Sequence, residues 1–98
     1  MTEKTIQKSA SMTNYETWAL NVWMHNENYN SLMSELYQIY ISNPKDSKYI
    51  FADKLKEIVL EGKPKVGGLY EDLLSHSILT INFFEIGERW VQDLISNM

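Results

Sequence analysis

The sequence predicts an all-α fold, a small bundle of four to five helices, and two observations carry that prediction. Apolar residues return at i, i+3, i+4 and i+7 in five successive segments, the spacing that lines one face of a helix. Strict alternation of apolar and polar residues, the mark of a half-buried strand, nowhere lasts more than about four residues. A chain of 98 residues, 44% apolar and 12% aromatic, suffices for one core and is too short for two. Residues 1–12 are polar, with Ile6 and Ala10 as their only internal apolar residues, and read as a mobile tail ahead of a single helical domain over 13–98.

The first helix is expected near 14–26. Tyr15, Trp18, Ala19, Val22 and Trp23 share a face, Thr13 or Asn14 supplies the N-cap, and Glu16 sits in the first turn, where the helix dipole favours an anion. The second, near 28–42, carries Tyr29, Leu32, Met33, Leu36, Tyr37 and Tyr40 and runs antiparallel to the first. Asn26 or Asn28 can cap it, and Asn43-Pro44 cannot continue it. The third, near 47–61, opens at Asp46 or Ser47, turns Phe51, Ala52, Leu55, Ile58 and Val59 to the core, and closes on Gly62 as a left-handed residue.

Residues 62–68 hold three glycines and a proline, which marks a loop, and this is also the most basic spot in the chain. A shorter fourth helix, near 69–79, follows from Leu69, Tyr70, Leu73, Leu74 and Ile78. The fifth, near 83–96, has a capping Asn82 three residues before Glu85, a variant of the capping box, and a stripe of Phe83, Ile86, Gly87, Trp90, Val91, Leu94 and Ile95. Gly87 on that stripe lets a neighbouring helix come close. Trp18, Trp23 and Trp90 are expected to share the core.

Composition excludes several chemistries. Nine Lys and Arg against thirteen Asp and Glu give a net charge of −4, which argues against a general binder of nucleic acid. Without cysteine there is no disulfide scaffold, thiolate cluster or Cys nucleophile. The two histidines have only Glu27 (for His25) and Asp72 (for His76) as nearby carboxylates, too few ligands for a metal. Ser75-His76-Ser77 lies on a helix surface and not in a nucleophile elbow, and Glu71-Asp72 are helix neighbours that point apart. Lys63 to Gly68 lacks the residue order of a phosphate-binding loop. No catalytic residue, metal or cofactor is therefore expected, and the chain reads as a non-enzyme. No apolar run approaches a membrane span, and the first residues lack the apolar middle of a secretory signal, so a cytoplasmic location is expected.

Two surface features suggest a partner. Residues 69–98 carry Glu71, Asp72, Glu85, Glu88 and Asp93 against Arg89 alone. Such a face can imitate nucleic-acid phosphates in a basic groove of another protein, or be ordinary solvated surface. Leu20 and Met24 lie on a different side of the first helix from Trp18 and Val22, and Ile39 and Ile41 similarly flank the second. These are either partner-binding residues, as in a homodimer seam, or residues covered by the rest of the bundle.

Asn14-Tyr15-Glu16-Thr17-Trp18-Ala19-Leu20-Asn21-Val22-Trp23, followed by Asn28-Tyr29, resembles the opening of small uncharacterised proteins encoded by phages and other mobile elements. Ile81-Asn82-Phe83-Phe84-Glu85-Ile86-Gly87 resembles their later Val/Ile-Asn-Trp-x-Glu-Ile-Ala segment, with Phe83 and Gly87 departing from Trp and Ala. The match covers about a third of the chain and brings no catalytic site with it. By analogy of gene type, small acidic cysteine-free proteins of this origin are similar to anti-CRISPR and anti-restriction proteins. The resemblance implies origin more than activity; it is the analogy that suggests a stoichiometric inhibitor whose partner is a host defence protein or nuclease complex, without direct contact to nucleic acid or membrane. The alternative is a homodimeric structural or regulatory module.

Overall fold

A computed structural model describes residues 12–98, and among them every regular element is an α-helix. The five are α1 (Tyr15–Glu27), α2 (Tyr29–Ser42), α3 (Ser47–Glu61), α4 (Gly68–Leu79) and α5 (Phe83–Ser96). The all-α bundle expected from the periodicity is the observed architecture. Of the tail expected over residues 1–12, only Met12 lies within the described residues, and its side chain is buried.

Helices α3 and α5 form the most extensive pair, with α2 and then α1 packed around them. Their shared core is Met24, Leu32, Leu36, Phe51, Leu55, Ile86, Trp90 and Val91. Gly87 sits at the α3–α5 crossing: a Cβ added there would lie 2.6 Å from the Lys48 carbonyl oxygen. The glycine therefore sets how closely the two backbones approach, which is the role its place on the α5 stripe predicted.

Three expectations need correction. In α1 the buried residues are Thr17, Asn21 and Met24, so the inward face is turned away from the aromatic stripe. Tyr15 is 65% and Trp23 49% exposed, Trp18 is half-buried, and of the three tryptophans only Trp90 belongs to the core. The polar residues win the interior because each has a hydrogen-bond partner on a distant element, which removes the penalty of burying it. Second, Gly62 caps α3 in the right-handed region at φ −82°, and the positive φ values fall instead at Gly67 (71°) and Gly68 (58°), where the loop turns into α4. Third, α4 packs only lightly on the other helices. It buries Ile78 and leaves Leu69, Tyr70 and Leu73 of its expected core stripe exposed.

The ends of the core stripes are also wetter than their spacing suggests, with Tyr37, Ile58 and Ile95 exposed. At the start of α3, Ser47 is fully buried and its hydroxyl donates to the Pro44 carbonyl at 2.9 Å, while the Asp46 side chain makes no capping bond.

Candidate functional site

The first turns of α1 and α5 are built as one hydrogen-bonded unit. Asn14 caps α1, its Oδ1 accepting from Thr17 N at 2.9 Å and from the Thr17 hydroxyl at 2.7 Å. Its amide donates across the fold to the Thr80 carbonyl at 2.7 Å. Asn82 caps α5 through Glu85 N at 3.0 Å, and its own backbone N–H donates to the Thr17 hydroxyl at 2.8 Å. The Glu85 carboxylate accepts from Thr13 N at 3.1 Å instead of returning to Asn82, so only half of a capping box forms. The two strings that carry the resemblance, Asn14–Trp18 and Ile81–Gly87, thus meet in space, and their polar residues hold helix starts together.

Beside this clasp, α1 and α5 enclose a polar cleft of about 480 Å³. Met12, Asn21 and His25 form one wall, and Glu85, Glu88, Arg89, Gln92 and Asp93 the other, with Trp90 between them. The Trp90 indole N–H donates to Asn21 Oδ1 at 2.7 Å, a buried bond that satisfies both groups and fixes the indole plane. His25 lies against Trp90 with ring centroids 4.8 Å apart and stacks on Tyr29 at 5.2 Å. Arg89 and Glu85, one turn apart on α5, pair at 3.7 Å.

The structure brings together Glu85, Glu88 and Asp93 of the expected acidic set and leaves Glu71 and Asp72 on α4, outside this cleft. Three of the five have cationic partners. Glu88 pairs with Lys48 at 3.7 Å, Glu85 with Arg89, and Glu71 with Lys63 of the preceding loop. The hydrogen bond from Lys63 holds the Glu71 carboxyl below its usual range, with help from the Ser75 hydroxyl. No ion pair forms at Asp72 or Asp93 among the described residues. Of the expected partner-binding pair on α1, Met24 is 2% exposed and belongs to the core, the covered alternative, while Leu20 is half-buried against that core at the edge of a groove it shares with Trp23 and Ile58. Ile39 also packs on the core, whereas Ile41 is exposed.

Asn21, Arg89 and Gln92 are cleft residues that no chemical motif in the sequence marks. Their signal was available: Asn21 and His25 are four apart, as are Glu85, Arg89 and Asp93, so each set lines one polar helix edge. The arrangement offers carboxylates, a guanidinium and an imidazole around an aromatic floor, suited to charge-assisted contacts with a partner. Among the described residues no group of three or more His, Asp and Glu side chains could hold a metal ion, and no helix is long and apolar enough to cross a membrane. No family model, curated protein or solved structure matches the chain.

Proposed function

We propose that this chain is a non-enzymatic phage or mobile-element protein that binds and inhibits a host defence nuclease complex of the CRISPR or restriction kind, acting in the host cytoplasm. The observation that carries the reading is the convergence of Glu85, Glu88 and Asp93 of α5 on the lining of one cleft. Carboxylates repeated along a helix can meet the lysines and arginines of a groove built for phosphates, and the resemblance to mobile-element proteins supplies the class of partner. The surface is narrower than all five acids together, because Glu71 and Asp72 lie apart from the cleft. Asp93, exposed and without an ion pair among the described residues, is its centre.

The test is a nuclease-protection assay with Glu88→Lys/Asp93→Lys. Glu85 is left alone because it also anchors Thr13. Unchanged helicity with strongly weakened protection is the expected outcome. For the wild type, association should slow as salt rises, the Debye length falling from roughly 8 Å at physiological strength to about 3 Å at 1 M. Full protection by the folded double variant would remove α5 as the docking edge.

A further inference from the structure

The cleft between α1 and α5 has a direction. Thr13 meets Glu85 near its start, Asn21 meets Trp90 further along, and His25 lies beyond against the same indole, so the two helices run the same way along it. Met12 lines the end at Glu85 and is buried there. Asp93 lines the far end, exposed and without an ion pair among the described residues. The chain that precedes Met12 is therefore fastened at one mouth of the cleft, by a buried side chain and by the Thr13 N–H on Glu85.

We infer that residues 8–11 run back along this cleft from Met12 and set the Lys8 ammonium against Asp93, so that the chain covers its own acidic surface. Three observations select this segment as the occupant. The first is reach. The helical rise from Glu85 to Asp93 is about 12 Å, and the stretch from Met12 back to Lys8 spans about 13 Å when extended. Lys8 therefore arrives level with Asp93. The second is charge. The cleft carries Glu85, Glu88 and Asp93 against Arg89, whereas residues 1–11 carry Lys4 and Lys8 against Glu3, so opposite signs meet. The third is bulk. Ser9, Ala10 and Ser11, between Lys8 and Met12, have among the smallest side chains, which suits a cleft of about 480 Å³ walled by the polar Asn21, His25 and Gln92. The tether supplies what one exposed ion pair lacks, because a short linker holds its end at roughly millimolar effective concentration. The contact is internal to the chain and does not depend on what else the cleft meets. A basic partner that used the cleft would first have to displace Lys8.

Because the chain has no cysteine, a nitroxide attached at Gln7→Cys in the full chain reports where the segment lies. In amide NMR spectra at low salt it should broaden the signals of His25, Gln92 and Asp93 and spare Tyr49 and Phe84, which pack together where α3 meets α5. A segment fastened at Met12 but not docked would sweep both sides and broaden Phe84 at least as much as Asp93, and that result overturns the inference. Lys8→Glu should abolish the broadening at Asp93, and salt that shortens the Debye length to about 3 Å should reduce it. The charge swap Lys8→Glu/Asp93→Lys should restore it, which a merely structural effect of either substitution would not do. Broadening at Asp93 that survives Lys8→Glu, or that the swap fails to restore, refutes the contact.

Discussion

Replacing Gly87 by alanine tests the geometry of the whole core, because two opposed effects act at that position and their magnitudes differ. In an open helix the change is favourable by about 1 kcal/mol, the difference in intrinsic helix propensity. Here the new methyl would meet the Lys48 carbonyl oxygen at 2.6 Å and the Ala52 Cβ and N at 3.4 Å. A relaxed carbon–oxygen contact needs roughly 3.3 Å, so α3 must recede by about 0.7 Å. A gap of that size forfeits a quarter to a half of the dispersion attraction between the separated surfaces. Those surfaces include Phe51 and Leu55 against Ile86, Trp90 and Val91. Overpacking of this kind costs about 1–3 kcal/mol, and its upper end applies because the obstacle is backbone and not a side chain that can rotate away. The net loss should be about 2 kcal/mol, or a fall in Tm of roughly 8–16 °C for a domain of this size. Urea and thermal denaturation followed by circular dichroism measure it. Adding Ala52→Gly should not rescue the variant, since the Lys48 carbonyl stays in place. A Gly87→Ala protein as stable as the wild type would mean that α3 and α5 do not cross there.

Thr17→Val should lower stability by about 1–3 kcal/mol, read from the urea midpoint, because the Asn82 N–H loses its acceptor, whereas Thr17→Ser should cost much less. Trp90→Ala should cost about 3–5 kcal/mol while Trp23→Ala stays within about 1 kcal/mol, a contrast that chemical denaturation resolves directly. Glu71, whose pKa is lowered from 4.5 by Lys63, favours the folded state above its unfolded pKa, and this contribution is lost as pH falls through the depressed folded value. Acid titration of the melting temperature should therefore show a shallower decline for Glu71→Gln than for the wild type.

Helix existence and bounds were legible because each stripe is local, and α1 to α5 begin and end within a residue or so of where caps and spacing place them. Orientation was less so. In α1 the tryptophans suggested a buried face, yet Thr17 and Asn21 go inside because their partners, Asn82 and Trp90, lie 65 and 69 residues away, beyond any local pattern. In α4 apolar residues surround the axis, so periodicity could not distinguish the inner face from the outer. The acidic residues were visible by count, but Lys48 and Lys63, which neutralise two of them, come from a different helix and from a loop. Net local charge therefore overstated the free negative surface.

The clasp between residues 13–17 and 80–85 also fixes the order in which the chain can mature. During synthesis α1 leaves the ribosome first, but the groups that satisfy Thr17 and the Asn14 amide are made more than sixty residues later. Bringing such distant segments together carries the loop-closure entropy of the whole intervening chain. Until α5 is available, a nascent α1 can pack Met24 on Leu32 and Leu36 of α2, but Thr17 and Asn21 lack Asn82 and Trp90 and must keep water as their partner. Protection of the first turn of α1 should therefore arrive late, when α5 docks.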